Sequence, residues 1–334
     1  MKKVLKIGVI GLGVGEKHLE TYEKHNLCNV IAVTDLNKKK LLKCKKKFPH
    51  ISFENSAEKI INNKSIDLIS IASYDNFHCD QIIKSIKNNK HIFVEKPLCI
   101  NYLEYFKIKK ILSSRPKIKI SSNLLLRNSP QFVYLKKKIQ KNYFKKIYYM
   151  MGEYNYGRIK KITDGWRANI PFYSVMHGGG IHIIDLMVWF LGKKVKRVIA
   201  AGNNISTQKT KFKFNDLVSS LIEFENGVIA NVTANFGSVT PHHHTFSVYS
   251  KNATFTQKYR DVSIGTSRTS NQKFKKINFN YLNKNKSYIL KSFIESIIFK
   301  KKPVVTKNDV LKTMAISLAI EKSIKSRKWE KVVY

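Results

Sequence analysis

The chain has 334 residues, 43% of them hydrophobic and 11% aromatic, which suffices for two domains with substantial cores and excludes a disordered protein. The formal net charge is +40, which raises the question of a nucleic-acid or membrane partner. Only about eight of the 62 basic residues are arginines, the preferred side chains for bases and phosphates, and the lysines are scattered along helix-like segments. We therefore expect no nucleic-acid and no membrane partner, although so positive a field attracts anionic substrates.

The cysteines and the start of the chain bear on location. Met1-Lys2-Lys3 and the apolar residues after it mimic a signal peptide, but Lys6 interrupts the run and no cleavage site of small residues follows, so we expect a buried first strand. No uninterrupted apolar run approaches the roughly 18 residues of a membrane span. The cysteines form no CxxC pair or metal-site spacing, which predicts reduced thiols, no bound metal and a cytoplasmic location; they are Cys28, Cys44, Cys79 and Cys99.

Apolar strand-like runs alternate with helical patterns through the first 123 residues. The pattern predicts strands at 4–10, 30–35, 51–53, 67–72, 91–94 and 118–121, and helices at 17–26, 38–48, 57–62, 77–88 and 102–112. Such an alternation predicts an α/β fold with a doubly wound parallel sheet of six strands.

A glycine-rich loop joins the first strand to the first helix. Glycines allow the tight turn and the close approach of the backbone to a pyrophosphate, which the helix amino terminus attracts; the loop residues are Gly11, Gly13, Val14 and Gly15. Asp35 ends the second strand about 20 residues later, where a carboxylate accepts hydrogen bonds from ribose hydroxyls and repels a 2′-phosphate. These residues predict NAD rather than NADP, with Asp35 as a helix cap near Asn37 as the alternative.

The segment His91-Ile92-Phe93-Val94-Glu95-Lys96-Pro97-Leu98 is a short apolar strand that stops at an acid, a base and a proline. Pro97 cannot donate a hydrogen bond to a sheet, so the chain leaves it there. Ligands bind at the carboxyl ends of parallel strands, which makes Lys96 a candidate for chemistry rather than one more solvated lysine.

The second part of the chain has a different pattern. It predicts strands at 147–156, 195–201, 217–224, 228–236, 244–249 and 253–256, and helices at 131–139, 181–191, 289–299 and 308–325. Sequential strands with one polar face indicate a second, mainly antiparallel sheet in an α+β domain. We expect a dinucleotide-binding domain at 1–123 and a second domain at 124–334, whose C-terminal helix can pack back on the first.

The sequence resembles the glucose-fructose oxidoreductase, inositol dehydrogenase and rhizopine-catabolism (Gfo/Idh/MocA) family of NAD(P)-dependent oxidoreductases along nearly its whole length. Four separated motifs carry the resemblance in the family's order: Ser73 to His78, Val94-Glu95-Lys96-Pro97, Gly178-Gly179-Gly180 with His182 and Asp185, and Lys302-Pro303-Val304-Val305-Thr306 with Asp309.

The resemblance implies an NAD-dependent oxidoreductase whose second, open-faced sheet domain binds substrate and forms dimers or tetramers. It implies that Lys96 contacts the substrate hydroxyl and the nicotinamide ribose, that the Lys96–Pro97 bond is cis, and that His182 is the acid/base. The implied cofactor contacts are Gly11, Gly13, Val14, Gly15, Asp35, Ser73, His78, Glu95 and Lys96.

Three positions depart from the family pattern. The glycine loop, which ends before His18, is one residue short, and Ser73-Tyr74-Asp75 replaces Thr-Pro-Asn. Many relatives have an Asp four residues before the helix histidine, and here that residue is Gly178. The proton chemistry is therefore expected to depend on Lys96 and His182, with His177, Asp185 or Tyr156 as candidate helpers.

A polar and aromatic series predicts the substrate contacts. Aromatic rings stack on sugar faces and Arg binds phosphate or carboxylate; the series is Asn123, Arg127, Tyr154, Tyr156, Arg158, Trp166, Arg167 and Asp185. We expect hydride transfer between nicotinamide C4 and a secondary alcohol or ketone of a sugar, preferably nucleotide-linked and anionic, with free inositol or another polyol as the alternative. The structural alternative is that the tyrosines merely alternate on a strand and the arginines are solvated.

Two functions of other classes are weaker interpretations. A non-catalytic dinucleotide-binding regulator needs the glycines and Asp35 but need not keep both Lys96 and His182. A zinc site could use His242, His243 and His244, but adjacent strand residues point to opposite faces, so the three rings do not converge.

Overall fold

The computed structural model describes residues 4–269, 274–279 and 287–334. Met1 to Lys3, which belong to the leader-like start, lie outside the described residues. The chain divides into two compact units, Met1–Leu124 with Asn285–Leu311 and Leu125–Lys284 with Lys312–Tyr334. The predicted division at residue 123 differs from these units because Asn285–Leu311 belongs to the first of them.

The first unit contains a parallel sheet of six strands in the order β3-β2-β1-β4-β5-β6. The strands are β1 (Leu5–Ile10), β2 (Cys28–Thr34), β3 (Ser52–Phe53), β4 (Leu68–Ile71), β5 (His91–Val94) and β6 (Ile120–Ser122). The helices that alternate with them are α1 (Gly15–Glu23), α2 (Lys38–Lys47), α3 (Ala57–Asn62), α4 (His78–Lys87) and α5 (Tyr102–Ser114). The predicted doubly wound fold is confirmed, and its strand order reverses between β1 and β4, where such sheets bind ligands.

The second unit contains a nine-stranded, mainly antiparallel sheet in the order β14-β13-β12-β11-β7-β10-β9-β8-β15. Its strands are β7 (Ile147–Asn155), β8 (Val195–Asn203), β9 (Leu217–Phe224), β10 (Ile229–Asn235), β11 (His243–Ser250), β12 (Thr254–Lys258), β13 (Asp261–Gly265), β14 (Lys275–Lys276) and β15 (Glu330–Lys331). The pairing of β7 with β10 is parallel. The predicted α+β class is confirmed, although the sequence pattern did not indicate the three edge strands β13, β14 and β15.

The helices of the second unit include α6 (Pro130–Gln140), α7 (Lys160–Thr163) and α8 (Ile181–Leu191), and a π-helix at Met176–Gly180 leads into α8. Phe132 on α6, Phe190 on α8 and Phe246 on β11 contact one another with ring centroids 5.5 to 6.3 Å apart. One face of the sheet is therefore buried under helices, and α8 lies directly on it.

Two C-terminal helices complete the fold, α9 (Tyr288–Phe299) and α10 (Lys307–Ser326). Phe293 on α9 lies 5.8 Å from Phe93 of β5, and Lys119 donates a hydrogen bond to the carbonyl oxygen of Ser296. These contacts explain why α9 belongs to the first unit. None of the described helices is long and apolar enough to cross a membrane.

Candidate active site

The glycine-rich loop follows β1 at the carboxyl end of the first sheet. Gly11 has a φ of +88°, and a Cβ there would lie 2.4 Å from the carbonyl oxygen of Ala72, so only glycine fits. A Cβ at Gly15 would lie 3.1 Å from that of Ala72, which shows how closely α1 approaches β4. A Cβ at Gly13 would meet only a lysine ammonium, 3.9 Å away, and Val14 at the start of α1 is 52% exposed. The loop therefore fits a pyrophosphate, despite being one residue short.

Asp35, just after β2, accepts two backbone hydrogen bonds. Its Oδ2 accepts from the Leu12 N–H at 2.5 Å, and its Oδ1 accepts from the Asn37 N–H at 2.6 Å. The alternative that Asp35 caps α2 is wrong, because Asn37 is the N-cap and its side chain accepts from the Lys40 N–H. The Asp35 carboxylate thus ties the glycine loop to the end of β2, where an acid is suited to ribose hydroxyls.

A buried polar network lies at the carboxyl ends of β4 and β5. His18 on α1 contacts Ser70 Oγ through Nδ1 at 3.1 Å and Glu95 Oε1 through Nε2 at 3.0 Å. The Asn123 amide donates to the same Glu95 oxygen at 2.8 Å. Burial acts to raise the pKa of Glu95, but His18, Asn123 and the charge of Lys96 outweigh it, so this pKa lies below its usual value. Asn123, predicted as a substrate contact, thus holds the carboxylate beside Lys96.

The turn after β5 is braced from α4. The Lys96–Pro97 bond is cis, as the resemblance implied. His78 is fully buried, and its ring nitrogens lie 2.7 Å from the Pro97 carbonyl oxygen and 3.2 Å from that of Ser73. Ser73 donates through Oγ to Gln81 at 2.7 Å. Both ring nitrogens of His78 therefore face backbone carbonyls, so this residue shapes the turn that carries Lys96 rather than presenting a ring nitrogen to a cofactor.

In the second unit, aromatic and histidine rings gather around Tyr154 at the end of β7. Ring centroids within 6.1 Å of that of Tyr154 belong to Tyr156, His182, Phe236, His242 and His244, and we call this set with Tyr154 the tyrosine-histidine cluster. Burial holds the pKa of the Tyr154 phenol well above its usual value, so the hydroxyl stays protonated. The rings of the cluster pack mainly against one another, and Tyr154, Tyr156 and His182 are all buried.

Two glycines of the π-helix Met176–Gly180 make room for two tyrosines. A Cβ at Gly178 would lie 2.1 Å from the hydroxyl oxygen of Tyr173, and a Cβ at Gly179 would lie 2.4 Å from the ring of Tyr154. The structure therefore gives a packing reason for the glycine run that precedes α8. Tyr173 was not predicted as a site residue.

Arg127 and Asp185, both predicted to bind substrate, are bonded to each other. Arg127 donates through Nε and Nη2 to the two carboxylate oxygens at 2.9 and 2.7 Å, and the side chains are only 2% and 1% exposed. Thr313 on α10 donates to the same carboxylate at 3.4 Å. This geometry indicates that the pair fixes α8 to its surroundings. The role of Asp185 as a catalytic helper of His182 stays a prediction.

α10 holds the segment before α8 by two further bonds. The Ser317 hydroxyl lies 2.7 Å from Nδ1 of His177, and Glu321 accepts a hydrogen bond from the Ser174 hydroxyl. Ser174 Oγ in turn accepts from the His177 N–H at 3.0 Å. Burial raises the pKa of Glu321 above its usual value. His177, a candidate catalytic helper, precedes His182 by five residues and is hydrogen-bonded to α10.

The remaining predicted substrate residues lie after β7. Arg158 is exposed, with its guanidinium carbon 5.7 Å from the centre of the Tyr156 ring. Arg167 donates through Nε to the Tyr173 hydroxyl at 3.1 Å, and its guanidinium carbon lies 4.6 Å from the centre of the Trp166 ring. Arg158 and Arg167 are therefore associated with aromatic faces, which leaves Arg158 as the more accessible cation.

The three consecutive histidines do not converge. The rings of His242 and His244 lie 4.9 Å apart, while that of His243 lies 5.1 Å from Tyr259. Burial lowers the pKa of His244 well below its usual value, and the charges of His242 and His243 add to this effect. Within residues 4–269, 274–279 and 287–334, no group of three or more His, Cys, Asp or Glu side chains is arranged to hold a metal ion.

Comparison with known sequences now decides the family. Residues 5–123 match the sequence model described as the oxidoreductase family with an NAD-binding Rossmann fold, and residues 132–256 match the GFO/IDH/MocA C-terminal domain. The chain belongs to the GFO/IDH/MocA oxidoreductase family. The predicted NAD cofactor and oxidoreductase class are confirmed, and the residues of the glycine loop and Asp35 fit that cofactor.

Individual GFO/IDH/MocA relatives resemble this chain along its whole length. The myo-inositol 2-dehydrogenase of Thermotoga maritima is 22% identical over 338 residues, with 97% of each chain covered. Among solved structures, the myo-inositol 2-dehydrogenase of Lactobacillus plantarum superposes with a TM-score of 0.83 at 21% identity, covering 99% of this chain and 100% of that one. A levoglucosan dehydrogenase in complex with NADH gives a TM-score of 0.87 at 19% identity, with 98% and 99% coverage.

Proposed function

We propose that this family member is an NAD-dependent dehydrogenase of a secondary alcohol on a free cyclic polyol or sugar. The burial and the partners of the predicted substrate-binding arginines favour a free substrate over a phosphate-linked one. Of the three arginines predicted to contact the substrate, Arg127 is buried against Asp185, Arg167 is half-buried and donates to the Tyr173 hydroxyl, and Arg158 is exposed. The related dehydrogenases named above act on inositol or levoglucosan, which supports the same choice over a nucleotide-linked sugar.

We assign the proton chemistry to Lys96 and His182. Lys96 lies two residues after the end of β5 and is half-buried beside Glu95, whose pKa is lowered. The negative charge of Glu95 favours an ammonium that donates a hydrogen bond to the reacting oxygen. His182 is 3% exposed and stacks on Tyr154 with centroids 6.0 Å apart, so its ring is held in one plane. It accepts the hydroxyl proton when the alcohol is oxidised and returns it when the ketone is reduced. Bound NAD supplies the hydride acceptor or donor.

A substrate panel with matched variants tests this assignment. NADH formation is followed with myo-inositol, scyllo-inositol, levoglucosan, free hexoses and UDP-sugars. We expect turnover of at least one free polyol or sugar, and a loss of roughly a hundredfold or more in kcat for Lys96→Met and His182→Asn. The matched control is Lys87→Met, at an exposed lysine of α4.

Three results would contradict the proposal. Turnover of UDP-sugars alone would favour the nucleotide-linked substrate. NADH binding without turnover of any alcohol would favour a non-catalytic regulator. Near wild-type kcat in both variants would remove the roles of Lys96 and His182, while leaving the substrate class standing.

The outward face of the nine-stranded sheet supports a homodimer or homotetramer, which we propose as the assembly. Met151, Asn231, Leu221 and Ile199 form one row across β7, β10, β9 and β8, and Leu221 is 36% exposed. Light scattering after size exclusion is expected to give two or four times the mass of 38.7 kDa, and Leu221→Lys is expected to reduce it. A monomeric wild type would refute this assembly. The cytoplasmic location expected from the cysteines stays a prediction.

A further inference from the structure

A cavity of about 690 Å³ lies at the amino-terminal edge of the parallel sheet in the first unit. Its wall includes Leu5, which begins β1, Asp67, which precedes β4, and His91, which begins β5. Parallel strands begin at one edge of their sheet and end at the other, so this cavity lies at the edge opposite to the glycine loop and Lys96. Its volume is in the range of small-molecule sites, roughly 300–1,000 Å³.

Lys90 brings a buried ammonium to the wall of this cavity. The residue is 4% exposed, and its Nζ donates to the backbone carbonyl oxygens of Asn63 at 2.7 Å and of Ile66 at 2.6 Å. An ammonium has three N–H groups, and these two bonds use two of them. Burial lowers the pKa of Lys90, and the charge of Asp67 acts against this effect. An anion in the cavity would accept the third N–H and favour the charged form of the lysine.

The rest of the wall combines a second cation with apolar side chains. Lys64 is exposed, Ile66 is buried, and Ile297 and Ile298 in the last turn of α9 are half-buried. Asp67 is the only acid among the described residues that line the cavity. Two lysines against one acid leave a surplus of one positive charge, which suits a ligand with one negative charge and an apolar body.

We infer that this cavity is a second ligand site, which binds a small carboxylic acid with an apolar body. The carboxylate accepts hydrogen bonds from Lys90 and Lys64, and the apolar body packs on Ile297 and Ile298. A phosphate, which carries up to two negative charges, is repelled more strongly by Asp67. The inference goes beyond the proposed dehydrogenase and does not depend on it, because the ligand is neither the alcohol nor the cofactor.

Calorimetry on NADH-saturated protein tests this site with benzoate, isovalerate and octanoate as probes. Each carboxylate is compared with its uncharged primary amide and with inorganic phosphate. We expect at least one carboxylate to bind, and its amide to bind about tenfold more weakly or worse, since the amide lacks the charge that the ammonium recognises. The affinity for the carboxylate is expected to be the same with and without NADH, because the two sites lie at opposite edges of the sheet.

Two variants connect the binding to the cavity. Ile298→Glu adds a negative charge to the wall and leaves the two bonds of Lys90 in place, so we expect it to weaken binding of the carboxylate about tenfold or more. Lys90→Met removes the ammonium and keeps an apolar stem, and the same loss is expected wherever its melting temperature shows a folded protein. Lys59→Met, at an exposed lysine of α3, is the control and is expected to bind like the wild type.

Four results would each overturn the inference: no saturable binding of any probe, amides that bind as well as the carboxylates, full affinity in Ile298→Glu, or loss of binding when NADH is added. Tighter binding of inorganic phosphate than of every carboxylate would do the same. None of these results bears on the proposed dehydrogenase, which the turnover of polyols and sugars tests separately.

Discussion

Removing the carboxylate of Asp185 is predicted to destabilise the second unit strongly. Both side chains of the Arg127–Asp185 pair are almost completely buried, and the two hydrogen bonds measure 2.9 and 2.7 Å. Asp185→Ala leaves the guanidinium buried without its counter-charge, which costs about 3–5 kcal/mol. Two hydrogen bonds to charged groups, at roughly 1.5–3 kcal/mol each, give a similar range of about 3–6 kcal/mol. The Thr313 hydroxyl also loses its acceptor.

Thermal unfolding measures this loss. At roughly 2–4 °C per kcal/mol for a unit of this size, the melting temperature of Asp185→Ala is expected to fall by about 6–20 °C. The double variant Arg127→Met/Asp185→Leu, which replaces the ion pair by apolar groups, is expected to recover most of that loss. Glu223→Ala, which breaks a surface pair with Arg197, is the control and is expected to change little.

A change of less than about 2 °C in Asp185→Ala would refute the structural role of the pair. So would a double variant as unstable as the single one. An unaltered melting temperature with a raised KM in Asp185→Asn would instead restore the substrate-binding interpretation of Asp185.

Gly11→Ala puts a methyl group 2.4 Å from the Ala72 carbonyl oxygen, so we expect calorimetry to show NADH binding weakened about tenfold or more. The control is Gly227→Ala, which has a similar φ of +81° and nothing within 4 Å, and which should leave NADH binding unchanged. Glu95 has a lowered pKa, so its contribution to stability is complete above about pH 4.5 and disappears as the pH falls below that value. Between about pH 3 and 6, urea unfolding should show that Glu95→Gln loses less unfolding free energy on acidification than the wild type. Equal losses in the two proteins would refute this. His244 also has a lowered pKa, so on acidification the unfolded chain takes up the proton first, below about pH 6.5. The melting temperature of the wild type is therefore expected to drop on acidification more than that of His244→Gln. Equal drops in melting temperature would exclude the effect.

The first unit was predictable because its strands are buried on both faces. β1, β4 and β5 are short apolar runs, and each is followed by polar or glycine residues that mark the carboxyl end of the sheet. Local pattern therefore identified both the fold and the place of Lys96. It could not show that His78 braces the Pro97 turn, because that contact depends on the packing of α4.

In the second unit, the sequence located the residues but not their partners. Arg127 and Asp185 are 58 positions apart, and nothing in the local pattern pairs them. Both were therefore predicted as substrate contacts. The contact of Tyr173 with Gly178 was not predicted for a similar reason, because a glycine in the sequence does not indicate which side chain occupies the space beside it.

The segment that carries His182 is a poor helix by its own sequence, and this explains the polar face of α10. Glycine costs about 1 kcal/mol relative to alanine within a helix, and Met176–Gly180 contains three of them in a π-helix, a geometry that needs outside support. Ser317 and Glu321, four residues apart on α10, supply it through His177 and Ser174. The glycines make room for Tyr154, which stacks on His182, and for Tyr173. The bonds from α10 offset the helical stability that those glycines remove. The last helix of the chain therefore supports the segment that leads into His182.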